Sequence, residues 1–232
     1  MKIQNIKVIG IGAGGTNLVH FLGQFLNFHV ENAIVTLIDG KTFRTRNFEN
    51  QRFSEIGNKA EIKKADLRKN FSNVRFRSIP EHIDNKNVIK HIVDGDLVFL
   101  GVDNHKTKSI INAHCRTLDN VVLISGGLED TDGDIWIYIR KNGEDITPDL
   151  TYNHPEIAEP EDTAPFEKSC DEVMETEPAR LVTVLAVVDW MMITFANYLA
   201  GRIDYYQVYI DTATCQTRKV NIPKKYIKEK VK

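Results

Sequence analysis

The first half of the chain alternates short apolar runs with longer amphipathic stretches. Apolar, β-branched runs predict buried strands at "IKVIGI", "AIVTLID", "DLVFLGVD" and "NVVLISGG". Apolar residues at helical spacing predict helices at "TNLVHFLGQFLN", "KAEIKKADLRKNF" and "KTKSIINAHCRTL". Strands that alternate with helices predict an α/β fold, a Rossmann-like and mostly parallel sheet with helices on both faces.

The pattern changes after Gly127. The stretch "DIWIYIRKNGE" alternates apolar and polar residues and predicts an antiparallel addition to the sheet. A long helix at about 178–200 and a hairpin that closes near "TATC" follow a Pro- and acid-rich segment with little periodicity, which is long for a connector. We therefore predict a single domain over residues 1–232, with a Rossmann-like core at 1–142, a crossover loop at 143–177, and a helix, antiparallel hairpin and basic tail at 178–232.

Composition narrows the class of protein. Hydrophobic residues make up 42% of the chain and charged residues 27%, as in ordinary globular proteins, and a net charge of −2 gives no electrostatic reason to expect nucleic acid. The most apolar stretch, 181–200, contains Asp189 and Asn197 and so favours a buried helix over a membrane span. The start of the chain leads straight into a strand, without the pattern of a signal peptide, and the three cysteines include no CxxC pair. We expect a cytoplasmic, reduced protein that binds neither nucleic acid nor membrane.

A glycine-rich loop, "GIGAGGTN", joins the first strand to the first helix. Glycines there allow a tight turn and a close approach of the backbone to phosphate, while the N–H groups at the helix N-terminus bind the anion. Asp39 ends the second strand, where a carboxylate accepts hydrogen bonds from ribose hydroxyls. Two glycine sets fit known fingerprints: Gly10, Gly12 and Gly15, or Gly12, Gly14 and Gly15. Both predict a nucleotide site, and neither separates NAD from ATP.

Polar residues at fixed intervals follow the strands predicted at "AIVTLID" and "DLVFLGVD". After Asp39 the spaced residues are Asn47, Gln51, Gly57, Lys59 and Ala60, and in "VFLGVDNHKTKSIINAHC" they are Asp103, Asn104, Thr107 and Asn112. These residues match the N-L-x-R-Q, G-x-x-K-A and D-x-x-D-N elements of the ThiF/MoeB superfamily, the ubiquitin-activating-enzyme-like adenylyltransferases. With "SGG" after the next strand, the chain resembles this superfamily over roughly residues 6–127.

The resemblance implies a Mg·ATP-dependent enzyme that adenylylates the C-terminal carboxylate of a small ubiquitin-like or sulfur-carrier protein ending in glycine. It implies a homodimer as well. It further implies that Lys59 binds the phosphates, that Asp103 holds Mg²⁺, and that Asp39 binds the ribose. The other nucleotide-binding residues implied are Gly12, Gly14, Gly15, Asn47, Gln51 and Asn104.

Several positions depart from the superfamily pattern. The arginine before the glutamine is Asn50 here, with Arg46 and Arg52 close on either side, and we take Arg52 as the candidate catalytic arginine. Lys108 stands where the pattern has another arginine, and Lys41 replaces an acidic residue after Asp39. Because phosphate-stabilising arginines can contribute orders of magnitude in rate, a catalytically weakened scaffold that recognises the carrier is an alternative function.

In thioester-forming relatives a cysteine on the crossing loop accepts the acyl group. Cys170 occupies that loop and is the candidate acceptor, although Asp171 and Glu172 would raise the pKa of its thiol. Cys115 is expected in the core and Cys215 at the hairpin tip. The histidines show no metal-ligand spacing. An NAD-dependent oxidoreductase using the same glycine loop is the remaining alternative.

Overall fold

The computed structural model describes residues 5–44, 51, 53–162 and 178–227, with only the backbone of residues 178–180. The strands in this part of the chain are β1 (Asn5–Ile9), β2 (Ile34–Ile38), β3 (Thr42–Phe43), β4 (Gly57–Asn58), β5 (Arg75–Ile79), β6 (Leu97–Leu100), β7 (Val121–Leu128), β8 (Asp132–Lys141), β9 (Glu144–Asp145), β10 (Tyr205–Asp211) and β11 (Gln216–Asn221). The helices are α1 (Ala13–His29), α2 (Lys59–Asn70), α3 (Val88–His91), α4 (His105–Cys115), α5 (Pro155–Ala158) and α6 (Pro178–Leu199). Short 3-10 turns lie at Leu150–Tyr152 and Lys224–Tyr226.

Nine of the described strands form one mixed sheet in the order β11-β10-β8-β7-β6-β1-β2-β5, with β9 paired to β8. The strands from β5 to β7 in this order are parallel. Strands β8, β10 and β11 continue the sheet as antiparallel neighbours. This arrangement confirms the predicted α/β fold with an antiparallel C-terminal extension. The proposed division of the single domain at residues 142 and 177 stays a prediction.

Each face of the sheet has its own apolar core, because successive side chains of a strand point to opposite faces. In β6, Phe99 packs with α1, α2 and α6, whereas Val98 and Leu100 pack with α3 and α4. Parallel strands covered on both faces place their carboxyl ends along one shared edge, next to the loops that follow them. The candidate site lies at that edge.

Helix α1 begins earlier than the sequence suggests. The pattern predicts a start near Asn17, whereas the helix starts at Ala13 with Gly12 as its N-cap residue. Gly14 and Gly15 are therefore helical, although glycine is a weak helix former, because the turn must pass close to β1. A Cβ on Gly15 would lie 2.0 Å from the backbone oxygen of Gly10.

Helix α6 is apolar over most of its length. Leu181–Leu199 is long and apolar enough to cross a membrane by length and composition alone. One side of the helix is buried against α1 and the sheet through Val184, Val187, Val188, Met191 and Phe195. That side supports the predicted buried helix, while the expectation of no membrane contact stays a prediction.

Candidate nucleotide site

The glycines of the loop divide into two pairs by the space around them. Gly10, at φ +87°, and Gly15 lie in tight backbone contact, so a side chain at either position would meet backbone atoms. Cβ atoms on Gly12 and Gly14 would meet nothing within 4 Å. The first pair therefore permits the strand-to-helix packing, and the second leaves the first turn of α1 open to a ligand. A helix N-terminus exposed in this way binds anions through its N–H groups and its dipole.

Asp39 ties the glycine loop to the end of β2. Its Oδ2 accepts a hydrogen bond from the N–H of Ile11 at 2.6 Å, and its Oδ1 accepts one from the N–H of Lys41 at 2.7 Å. Each carboxylate oxygen keeps a second lone pair. Asp39 therefore orients the loop in the structure, and its contact with a ribose stays a prediction.

Lys59 is the first residue of α2 and is only 5% exposed. Burial lowers the pKa of its ammonium group, while the charges of Asp39 and Asp103 raise it and that of Lys41 lowers it. Within the described part of the chain, no carboxylate forms an ion pair with Lys59. A buried ammonium without a bonded counter-ion is a natural place for an anionic ligand.

Asp103 follows β6 and is exposed at the same edge of the sheet. The next residue, Asn104, caps α4 by accepting a hydrogen bond from the N–H of Thr107 at 2.8 Å. The Nδ2 atom of Asn104 is buried and has no hydrogen-bond partner within the described residues. The structure thus places Asp39 after β2, Asp103 after β6 and Lys59 at the start of α2, close enough for the charges of both aspartates to act on Lys59, and it adds the orphaned amide of Asn104.

Gln51 lies beside the first turns of α1. It lines a cleft of about 490 Å³ together with Thr16, Asn17, Phe53 and Lys63, and its Oε1 atom is buried without a partner among the residues described. The remaining predicted residues, Asn47, Arg52 and Cys170, lie outside the described residues.

A polar cluster that sequence reasoning missed lies farther along the same edge. It consists of Lys108 on α4, Asp134 on β8, His154 and Glu156 at α5, and Gln207 on β10. His154 contacts Glu156 through Nδ1 at 2.7 Å and Asp134 through Nε2 at 3.3 Å. The contact with Asp134 is the larger cause that raises the pKa of His154. No local motif links these residues, because the pairing of β8 with β7 and β10 brings them together.

The residues after α5 are anchored to α4. The carboxylate of Asp162 accepts hydrogen bonds from the N–H groups of His105 at 2.6 Å and Lys106 at 2.9 Å. These are among the first N–H groups of the helix, which lack partners within the helix. Asp162, within the predicted crossover loop, therefore contacts the start of α4, two to three residues after Asp103.

The two described cysteines differ in environment. Cys115 is buried in α4, and burial raises the pKa of its thiol to about 12, which makes it a poor nucleophile. Cys215 is exposed in the turn between β10 and β11, at φ +56°. No group of three or more His, Cys, Asp or Glu side chains suited to a metal ion occurs in the described ranges.

Comparison with known proteins gives one family and many similar structures. The model of the ThiF family matches residues 1–225. E. coli MccB with MccA-N7isoASN is similar to this chain at 16% identity and a TM-score of 0.71, covering 95% of this chain and 65% of that one. E. coli MccB with ATP gives 14% identity and a TM-score of 0.70, and PaaA gives 14% and 0.66. In both comparisons 95% of this chain is covered and 64% of the other, so the chain spans less than two thirds of their length. No curated protein sequence matches the chain.

Proposed function

Because the chain belongs to the ThiF family, we propose that it is an ATP-dependent adenylyltransferase that activates the C-terminal carboxylate of a peptide or small protein. The observation that supports this most directly is Lys59, a buried ammonium without an ion pair in the described structure, beside Asp39, Asp103 and an open glycine turn. The named ligands of MccB, ATP and MccA, are of the same two chemical kinds.

ATP fits the residues at this edge. The open faces of Gly12 and Gly14 leave room for phosphate oxygens at the N-terminus of α1. Lys59 would neutralise phosphate charge, and the buried Nδ2 of Asn104 would gain an acceptor. Asp39 would receive the ribose through its remaining lone pairs. NAD also carries a pyrophosphate that an ammonium could bind, so it is the family match, rather than Lys59, that makes the oxidoreductase the weaker alternative.

Mg²⁺ also fits, with Asp103 as its protein ligand. Magnesium is usually held by one or two carboxylates together with phosphate oxygens. Asp103 is exposed, and its charge acts on Lys59, so it lies on the same side of the site as the predicted phosphate-binding lysine. The ion, when bound, would neutralise negative charge on the phosphates.

In the proposed reaction a carboxylate oxygen of the substrate attacks the α-phosphorus of ATP. The bond from that phosphorus to pyrophosphate breaks, giving an acyl-adenylate and free pyrophosphate. Lys59 would stabilise the negative charge that develops on the phosphate oxygens, a task that consists mostly of positioning and electrostatics. Lys59 acts from a fixed place, because Asn58 caps α2 and holds its first turn against Asp39.

We extend the proposal in four respects. The carrier would be a small ubiquitin-like or sulfur-carrier protein ending in glycine, Arg52 would assist at the phosphates, Cys170 would accept the acyl group as a thioester, and the enzyme would act as a cytoplasmic homodimer. The resemblance to the superfamily supports the carrier, the thioester and the homodimer. Arg52 is proposed because it lies close to Asn50, which replaces the arginine of the pattern, and the cytoplasmic location because the three cysteines include no CxxC pair. A scaffold that binds the carrier without activating it is the competing function, favoured by the substituted arginine positions.

ATP–pyrophosphate exchange tests the proposal. The acyl substrates would be heptapeptide mixtures with a free C-terminal carboxylate, and the same mixtures with an amidated C-terminus would serve as control. We expect Mg²⁺-dependent exchange with the free carboxylates alone, lost in Lys59→Ala and retained in Lys69→Ala, an exposed lysine of the same helix. ATP binding without exchange would favour the scaffold, and tight NADH binding without ATP binding would favour the oxidoreductase.

A further inference from the structure

Gly127, at the carboxyl edge of β7, makes room for a carboxylate from the neighbouring strand. A Cβ at this position would lie 2.0 Å from Oδ1 of Asp134 and 3.8 Å from Nζ of Lys108. Only a glycine lets the side chain of Asp134 reach across β7 towards Lys108. The edge of the sheet here presents an acceptor and a cation close to each other.

Lys108 is a second buried ammonium at this edge, with 9% of the residue exposed. The charges of Asp134, Asp103, Glu156 and Asp162 act on it. None of these carboxylates reaches ion-pair distance, and within the described ranges no hydrogen bond to its ammonium is formed. A buried ammonium without a bonded counter-ion favours the binding of an anionic ligand.

Neighbouring side chains bind one carboxylate oxygen of Asp134 and leave the other without a hydrogen bond in the described structure. Its Oδ2 accepts a hydrogen bond from Nε2 of Gln207 at 3.0 Å and contacts Nε2 of His154 at 3.3 Å. Gln207 is fully buried and accepts a hydrogen bond in turn from Asn153 at 3.2 Å. Within the described structure, Oδ1 has no bonded partner and lies over Gly127. Two fixed neighbours therefore point a free acceptor at the space next to Lys108.

The order of the strands separates this cluster from the nucleotide side of the site. Along the edge, Asp39 follows β2, Asp103 follows β6, Gly127 is the last residue but one of β7, and Asp134 lies on β8. The sheet order is β2-β1-β6-β7-β8. The negative charge of Asp103 acts on both buried lysines. The charge of Asp39 acts on Lys59 as well, whereas the charge of Asp134 acts on Lys108. A nucleotide that occupies the glycine loop leaves the Lys108 side for the second substrate.

We propose that Lys108, Gly127 and Asp134 form the subsite for the C-terminal residue of the acyl substrate. Lys108 binds the α-carboxylate, and Oδ1 of Asp134 accepts a hydrogen bond from the backbone N–H of the same residue, above the bare backbone of Gly127. The inference rests on the proposed adenylyltransferase function. It defines the substrate as a carboxylate with an N–H on the adjacent carbon, supplied here by a peptide chain rather than by a free amino acid.

The subsite predicts that a terminal residue without an N–H is a poor substrate. Two heptapeptide mixtures, identical except for a terminal glycine or a terminal N-methylglycine, isolate that hydrogen bond. In ATP–pyrophosphate exchange with the wild-type protein, we expect the N-methyl mixture to be at least tenfold less efficient in kcat/KM. In Asp134→Ala the ratio of kcat/KM between the glycine and N-methylglycine mixtures should fall to near one, because the hydrogen-bond acceptor has been removed. This ratio can be measured whatever the overall activity of the variant.

Substitution of Lys108 tests the carboxylate half of the subsite. Lys108→Met should raise KM for the glycine-terminated mixture at least tenfold while leaving the Kd for Mg·ATP, measured by calorimetry, unchanged. Lys108→Arg should restore most of the loss, and Lys106→Met on the same helix turn should behave as wild type. A purely structural role for Lys108 would change both constants, the KM for the peptide and the Kd for Mg·ATP.

Each other outcome overturns a defined part of the inference. Equal exchange with both termini in the wild-type protein would refute the subsite and leave the proposed function intact. Exchange with free amino acids and with no peptide would refute the peptide terminus. Binding of Mg·ATP without exchange for any mixture would refute the proposed function and the subsite with it.

Discussion

Asn58 donates a hydrogen bond from its side-chain Nδ2 to the backbone oxygen of Asp39, at 2.9 Å. The Oδ1 atom of the same side chain accepts a hydrogen bond from the N–H of Glu61 at 3.1 Å and so caps α2. One amide therefore joins the helix that begins with Lys59 to Asp39, the residue that follows β2. The position of the buried ammonium relative to the glycine loop depends on this link.

Substitution of Asn58 should lower both stability and nucleotide affinity. Asn58→Ala removes an N-cap, which costs about 1 kcal/mol of the free energy of unfolding, and frees Lys59 from the end of β2. Asn58→Asp keeps the cap but lacks the donor to Asp39, so it should retain most of the stability and still bind ATP more weakly. Urea denaturation and an ATP titration of both variants measure the two effects. Normal ATP affinity in both variants would show that the link does not position the site.

Alanine should have opposite effects at Gly14 and Gly15. Gly14→Ala adds a Cβ into open space within a helix, which should stabilise the fold by about 0.5–1 kcal/mol but obstruct the phosphates. Gly15→Ala places a Cβ 2.0 Å from the oxygen of Gly10 and should destabilise the protein by at least about 1–3 kcal/mol. Thermal unfolding with and without Mg·ATP separates the two. A stable Gly14→Ala protein that still binds ATP tightly would place the phosphates elsewhere.

These residues show what could be predicted from the sequence. Asp39 was predicted from the residues alone, because it follows an apolar strand downstream of the glycine-rich loop, and the carboxyl ends of parallel strands share one edge. Lys59 and Asp103 were predicted through the resemblance to the ThiF/MoeB superfamily, since a lysine at the start of a charged helix and an aspartate just before a helix carry little signal by themselves. The start of α1 was misplaced, because the helical state of Gly14 and Gly15 comes from packing against Gly10 rather than from local preference.

Other parts of the site depend on contacts between distant segments. Asp134 and Gln207 meet through the antiparallel pairing of β8 with β10, and His154 joins them from the segment before α5. Local periodicity does not specify such a register. Asn58 was missed for the related reason that its bond to Asp39 spans a loop between β2 and α2.

ATP affinity should fall as the pH rises, and this fall should begin at a lower pH than it would if the phosphates were bound by an exposed lysine with an ordinary pKa. Burial lowers the pKa of Lys59 below its usual 10.5, so the ammonium loses its proton at a lower pH than an exposed lysine does. Because phosphate binds the charged form, nucleotide binding should take up a proton in the alkaline range. Calorimetric titration between pH 7 and about 10, in buffers of different ionisation enthalpy, measures this uptake. Lys59→Arg should abolish it, since arginine stays protonated.

The contact of His154 with Asp134 and Glu156 should stabilise the fold more at acidic than at alkaline pH. The pKa of His154 is raised above the usual 6.5, first by the hydrogen bond with Asp134, with a further contribution from Glu156. The stabilisation is therefore fully present below pH 6.5 and is lost as the pH rises through the higher pKa of the folded state. At alkaline pH the neutral ring can still accept a hydrogen bond from Gln207, at 2.9 Å.

Urea unfolding of the wild type and His154→Gln at acidic and alkaline pH measures the difference. We expect the loss caused by the substitution to shrink as the pH rises. Glu156→Gln, which removes the negative charge of the partner at 2.7 Å, should show the same trend with a smaller amplitude. A loss that grows with pH would mean that His154 is neutral in the folded protein.

Calorimetric titration of Mg·ATP into the wild-type protein and Lys59→Ala tests the central claim, that the buried ammonium of Lys59 receives the phosphates of ATP. The account predicts saturable binding to the wild type, at least tenfold weaker binding to Lys59→Ala, and no change in Lys69→Ala. Equal affinity in the wild type and Lys59→Ala, or binding of NADH in place of ATP, would contradict it.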